Sequence, residues 1–223
     1  MSHSVSRHLR IDIDNYDQKI RQFVPGYDTM VRTAAFMAAE VNPNRVLDLG
    51  SGSGGLSEEL LKQKGIGNVE LWDIDGEMLE TARVRLSGYG NRATFSVKSF
   101  HDEFPRCGAI TACISLHHIT TLNEKSLLYE RAFDAVSEGG IFVNADTAVP
   151  TSGPEKERLY RYWADHLIAN GIEEKQAWKH FDEWSEEDAY FSLAEELNAL
   201  AIAGFDPYCV WREGPSAVLI GRR

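Results

Sequence analysis

The chain has 223 residues, 43% of them hydrophobic, which suits one domain with a sizeable buried core. Its formal net charge of −11 argues against a broad electrostatic hold on nucleic-acid phosphates or anionic lipid, a local basic patch aside. Cys107, Cys113 and Cys209 are odd in number and lack CxxC spacing, so they read as reduced thiols. No run approaches the roughly 20 apolar residues of a membrane span, and the polar N-terminal segment has no signal-peptide stretch, so the expected location is the cytoplasm.

In chain order, residues 1–10 are polar, and Ile11 to Phe23 reads as a short helix broken at Pro25-Gly26. Tyr27 to Glu40 reads as a second helix, ended by Asn42-Pro43-Asn44. A first strand follows over Arg45 to Leu49, then a glycine turn, then an amphipathic helix over Leu56 to Gln63. Val69 to Asp73 is a second strand, and Asp75 can cap a helix over Glu77 to Leu86. Ala93 to Val97 alternates like a strand, and the small apolar run Ala109 to Cys113 fits a central strand buried on both faces. Leu122 to Ser137 reads as a helix, Glu138-Gly139-Gly140 as a stop, and Ile141 to Ala145 as a strand. Three helical stretches come next: Glu155 to Asn170, the acidic and aromatic Glu173 to Ala189, and Glu195 to Ala203, closed by Gly204. Phe205 to Trp211 and Ala217 to Ile220 read as two closing strands around Gly214-Pro215. Strand and helix alternate, without internal repeat or low-complexity linker. The expected fold is α/β, with a Rossmann-like seven-stranded sheet, mostly parallel with the last strand antiparallel, and helices on both faces.

The chain is organised around Val46-Leu47-Asp48-Leu49-Gly50-Ser51-Gly52-Ser53-Gly54-Gly55. A strand, a glycine turn and a helix form a nucleotide-receiving arrangement, because glycines let the backbone turn sharply and approach a ligand without a Cβ in the way. One reading is a dinucleotide dehydrogenase, since Gly50-x-Gly52-x-x-Gly55 fits that fingerprint and Asp73 follows at about the ribose-binding position. Against it stands Asp48, an acid where that fingerprint has an apolar residue.

The stretch Val46 to Gly54 resembles the cofactor loop of class I S-adenosylmethionine-dependent methyltransferases. Leu71-Trp72-Asp73-Ile74-Asp75-Gly76-Glu77-Met78-Leu79 is similar to their acidic-residue segment. Ser115-Leu116-His117-His118-Ile119, Glu138 to Asp146 and Ala203-Gly204-Phe205 resemble later segments of a small single-domain subgroup, in the same order. The resemblance covers roughly Tyr16 to Gly221. It implies a single domain over residues 1–223, with 1–40 as N-terminal lid helices and 150–200 as a helical insertion on the substrate side.

The resemblance also implies S-adenosyl-L-methionine as cofactor. Gly50, Ser51 and Gly52 would pass its amino-acid end, Asp48 would order the loop or reach the ammonium, and Asp73 would accept the ribose hydroxyls. Ile74 and Met78 would pack on the adenine, Ser99 and Phe100 would serve its edge, and Tyr16 and Cys113 complete the expected cofactor set. The family usually has an acid where this chain has Ser99. His117 and His118 sit just past the fourth strand as candidate bases, and the plain alternative is a histidine packed beneath the loop. Adjacent histidines with Asp146 lack HxH or HxxxH spacing, so no metal site is expected. Tyr27, Ser115, Asp146 and Trp163 are candidate substrate contacts, with the aromatics Tyr160, Trp178, Phe181 and Trp184 either core or pocket.

The expected acceptor is a small molecule, apolar or amine-bearing, rather than nucleic acid, and a homodimer is possible. Two other readings stay open. Val24-Pro25-Gly26-Tyr27 also resembles carboxy-S-adenosylmethionine synthases, enzymes of a tRNA-modification pathway, although Ala199 stands where those hold the added carboxylate with an arginine. A binding module without transfer activity is the third.

Overall fold

The computed structural model describes residues 16–223. The readings of residues 1–10, and of the start of the helix placed at Ile11 to Phe23, lie outside the described residues. Helix α1 spans Tyr16–Phe23, and α2 spans Tyr27–Ala39. Between them Gly26 takes φ 66°, with the Trp211 ring 2.7 Å from where a Cβ would stand, so the break needs glycine for both backbone and space.

Strands β1 (Arg45–Leu49), β2 (Asn68–Asp73), β3 (Ala93–Val97), β4 (Cys107–Cys113), β5 (Val136–Thr147), β6 (Asp206–Glu213) and β7 (Ser216–Arg222) form one sheet in the order β3-β2-β1-β4-β5-β7-β6. β7 pairs antiparallel with both β5 and β6, so it alone opposes the common strand direction. Helices α3 (Gly55–Lys62), α4 (Gly76–Arg85), α5 (Leu122–Ala135), α6 (Pro154–Ala169), α7 (Glu174–Trp184) and α8 (Leu193–Ile202) complete the described elements.

Alternation along the strands divides the interior in two. Val46, Val69, Leu71, Ile141 and Val143 face one core with α2, α3 and α4. Leu47, Leu49, Trp72, Ile110 and Phe142 face the other with α5 and α8. Local chemistry starts several helices: the Asp75 carboxylate accepts from the amides of Glu77 and Met78, Thr121 caps α5, and Ser192 with Glu195 forms a capping box on α8.

The boundary between α5 and β5 differs from the sequence reading. The helix stops at Ala135, and Val136 to Gly140, read as helix end and stop, belong to the strand. Buried Val136 pairs with Cys107, while Gly139 donates to the Arg223 carbonyl and Gly140 accepts from the Arg223 amide. Pairing with the chain's last strand outweighs the breaking tendency of the two glycines.

Candidate active site

The strand order reverses between β1 and β4, and a chamber of about 560 Å³ opens at the carboxyl ends of the strands there. That volume lies within the range of small-molecule sites. Gly50, at the end of β1, takes φ 60°, and a Cβ on it would stand 2.5 Å from the Ser115 Cβ. The Ser115 hydroxyl donates to the Leu49 carbonyl at 2.9 Å, closing the β4 loop onto the β1 turn. Gly50 is therefore required both by the turn and by the close approach of the two loops.

The fold brings many of the candidate residues to this chamber: Tyr16, Gly50, Gly52, Asp73, Ile74, Ser99, Phe100, Ser115, His117, His118 and Trp163 all line it. Others stand elsewhere. Asp48, Ser51, Tyr27 and Cys113 border a second, small cavity of about 20 Å³ beside the glycine loop, which is room for little more than one water. Tyr27, read as a substrate contact, thus faces the loop instead. Met78 is wholly buried beneath Gly52, and the adenine contact expected of it is not on the chamber wall. Asp146, also read as a substrate contact, sits behind His117. Ala199, where an arginine would serve a carboxylated donor, is on the buried face of α8 and brings no cation to the chamber.

Asp73 ends β2 with both carboxylate oxygens engaged: Oδ2 accepts from the Gly52 amide at 2.7 Å, and Oδ1 from the Asp75 amide at 2.8 Å. These bonds fix the carboxylate at the chamber rim. Ser99 accepts from the His101 amide and donates its own amide to Asp102, so an acid does stand near this corner, three residues on.

Asp48 is 1% exposed, with Ser57 donating to it at 2.5 Å and Thr111 at 2.8 Å. Burial pushes its carboxyl up to about 6, against the lowering effect of the two hydroxyls. The folded chain holds this proton more tightly than the unfolded chain, so the charged form costs stability above pH 6, by about 3 kcal/mol. Asp48→Asn is expected to raise the melting temperature of the unliganded protein at pH 7.5 and to leave it nearly unchanged at pH 4. An equal effect at both pH values would remove this account of the buried charge.

Past β4, Ile114 takes φ 48°, a strained conformation for a β-branched residue, and its amide donates to the Ala145 carbonyl. This turns the chain so that a short 3₁₀ segment, Leu116–His118, presents both histidines to the chamber. His117 Nδ1 lies 2.7 Å from Asp146 Oδ1, and its amide donates to Asp146 Oδ2. An ionised carboxylate only accepts, so Nδ1 carries the proton and Nε2 faces outward. Nε2 is 3.9 Å from Asp188 Oδ1, and His118 Nδ1 is 3.1 Å from the same oxygen. Burial lowers the pKa of His117, but the charges of Asp146 and Asp188 and the bond to Asp146 outweigh it and raise the imidazole to about 8. Burial likewise works against the charge on Asp146, and His117 prevails, holding it below the usual carboxylate range.

Asp188 joins the histidines without any mark in the sequence. It follows Glu186 and Glu187 in one acidic run, and nothing local separates it from those two exposed neighbours. Its place is set by two bonds of long sequence separation or local aromatic origin: the Ala189 amide donates to the His117 carbonyl at 2.8 Å, and the Tyr190 hydroxyl donates to Asp188 Oδ2 at 2.8 Å. Tyr190, Trp184, Phe23 and Val24 complete an apolar wall with Trp163. Trp163 Nε1 donates to the Phe23 carbonyl at 2.6 Å, tying α6 to α1. At its other end α1 is held by Asp17, which accepts from Ser53 of the glycine loop at 2.9 Å and forms an ion pair with Arg85.

Residues 46–140 match the family model described as a methyltransferase domain. That segment is similar to methyltransferase domains, as the sequence resemblance implies. The matched segment runs from β1 into β5 and so contains the glycine loop, Asp73 and both histidines. Similar solved structures include human N-acetylserotonin methyltransferase in complex with SAM, at 18% identity and TM-score 0.66, covering 95% of this chain and 55% of that one. An O-methyltransferase family 2 protein from Planctomyces limnophilus in complex with apigenin has 18% identity and TM-score 0.60, covering 80% and 50%. The S-adenosylmethionine-dependent methyltransferase SibL in its apo form has 22% identity and TM-score 0.58, covering 80% and 50%. The chain thus spans about half the length of these relatives, and at such identities the likeness establishes the fold. A search of curated proteins found no match.

Proposed function

We propose that this methyltransferase domain uses S-adenosyl-L-methionine to methylate a small-molecule acceptor. One observation carries the reading: a chamber at the strand-order reversal has a glycine loop and the fixed carboxylate of Asp73 on one side, and on another a histidine oriented by a buried acid. The residues present fit the donor. Gly50 and Gly52 would pass its amino-acid end, Asp48 would answer its ammonium across the small cavity, Asp73 would take the ribose hydroxyls, and Ile74 with Phe100 would flank the base. Bound there, the donor supplies an electrophilic methyl group on a sulfonium.

The chain's own task is to align the acceptor atom in line with that methyl and to exclude water. Phe23, Trp163, Trp184 and Tyr190 offer an apolar and aromatic face for the acceptor's body. Asp146 fixes the His117 ring so that Nε2 can take the acceptor's proton as the new bond forms. Residues 16–40 act as the lid of this single domain, and 150–200 supply the acceptor wall. Among the described residues no helix is long and apolar enough to cross a membrane, and the cytoplasm is the proposed location.

The titration of His117 gives two effects of opposite sign. The imidazole must be neutral to accept a proton, so transfer should rise with pH and level off above about 8. A histidine pKa raised from 6.5 to about 8 contributes about 2 kcal/mol of stability, fully present below pH 6.5 and lost as pH rises through 8. A screen of hydroxyl- and amine-bearing acceptors by mass spectrometry, followed by a pH–rate profile on the best of them, tests the proposal. Absence of any methylated product across the screen, with the donor bound, would favour a binding module.

A further inference from the structure

We infer that His117, His118 and Asp188 form a site for one divalent transition-metal ion at the chamber wall. The three residues each offer a ligand atom, and these atoms lie within 4.8 Å of one another. The offered atoms are His117 Nε2, His118 Nδ1 and Asp188 Oδ1, with separations to the carboxylate oxygen of 3.9 Å and 3.1 Å. Ligands about 2.1 Å from a tetrahedral ion stand about 3.4 Å from one another, so the widest pair, within 4.8 Å as it stands, would close by at most about 1.4 Å shared between two side chains.

The outer partners carry the inference further than the distances alone. A metal-binding imidazole characteristically donates its other N–H to a carboxylate, which fixes the ring and raises its basicity as a ligand. His117 does this through Nδ1 to Asp146 at 2.7 Å, within a group that is buried. The carboxylate ligand is oriented in the same way, since Tyr190 donates to Asp188 Oδ2 at 2.8 Å and leaves Oδ1 turned toward the histidines. Asp146 and Asp188 also bring two negative charges to the spot, which a dication would balance. Two imidazoles and one carboxylate suit zinc, iron(II), manganese or cobalt rather than calcium or magnesium. Three protein ligands facing a chamber leave an open coordination position toward it, as in catalytic rather than structural sites.

The consequence for the acceptor rests on the methyl-transfer reading, while the metal site does not. With the ion present, His117 Nε2 is a ligand and no longer the proton acceptor. An acceptor hydroxyl on the open position would instead lose its proton to solvent because the cation lowers its pKa, leaving a metal-held oxygen nucleophile. The substrate class favoured is then an oxygen acceptor, a phenol or a vicinal diol, over an amine.

The test is titration of the chelator-treated full chain with Co²⁺, read by its visible absorption, with Zn²⁺ as competitor. The site predicts one ion per chain, displaced by Zn²⁺. Affinity should fall more than about 10-fold in His118→Ala and Asp188→Asn, and by about 10–100-fold in Asp146→Asn, whose effect is indirect. His166→Ala, on α6 outside the cluster, should bind as the parent does. Circular dichroism melts establish that each variant is folded; if Asp188→Asn is not, His118→Ala decides, since its side chain is the least buried of the three. No saturable Co²⁺ binding, or binding unchanged in a folded His118→Ala, overturns the inference. S-adenosylhomocysteine binding to the same stripped protein reports on the donor reading separately, so each can fail alone.

Discussion

Trp163→Ala is expected to destabilise the fold by about 3–5 kcal/mol, the range for removing a buried aromatic. The side chain is 3% exposed and packs against Phe181 at 5.1 Å, Trp184 at 5.4 Å and Tyr190 at 5.7 Å between ring centroids. Truncation also removes the donor to the Phe23 carbonyl, leaving a buried acceptor unpaired. The substitution therefore loosens α1 from α6 as well as opening a cavity. Denaturant unfolding gives the stability change, and a loss under about 1 kcal/mol would mean that the aromatic wall is not part of the core. Trp163→Phe, which keeps most of the volume, should recover more than half of the loss.

In the metal-free protein, Asp146→Asn is expected to lower methyl transfer by about 100-fold or more, the scale of losing a correctly held general base, while leaving donor affinity within about two-fold. The amide keeps the shape and can still accept from the Thr147 amide, which now bonds Asp146 Oδ1 at 2.8 Å. What disappears is the charge that faces His117. Without it, burial is opposed only by Asp188, the imidazole pKa falls, and the pH–rate midpoint should move below its parent position near 8. Lys125, buried and paired with Glu196 at 2.5 Å, also lowers the His117 pKa and remains in the variant. A profile with an unmoved midpoint would show that His117 does not set the rate. Weakened donor binding instead would assign Asp146 to the fold of the β5 loop.

The glycine loop and Asp73 were legible in the sequence because short-range chemistry places them. Positive φ at Gly50 and Gly52 and an acid at the end of an apolar strand are local requirements. The seven strands were legible for a related reason, since most are runs of apolar residues bounded by turn formers. Local signals failed where long-range pairing decides. Glu138-Gly139-Gly140 reads as a stop, yet Gly139 and Gly140 bond to Arg223 across the sheet. Asp146 reads as a rim residue because it ends a strand, but β4 and β5 lie side by side and the 3₁₀ turn folds His117 over it. Asp188 carries no local mark, and the tertiary bond from the Ala189 amide to the His117 carbonyl helps bring it to the histidines. Met78, which the resemblance offers for the adenine, is buried against Gly52.

Isothermal calorimetry of S-adenosylhomocysteine against NADH separates the two possible donors, because both ligands would enter through the same glycine loop and the same ribose-facing carboxylate. Saturable binding of S-adenosylhomocysteine is expected, with little or none of NADH, and a loss of about 1–3 kcal/mol of that binding in Asp73→Ala, the worth of hydrogen bonds to a charged group. Tighter binding of NADH, or S-adenosylhomocysteine binding that Asp73→Ala leaves unchanged, would contradict the methyl-donor reading.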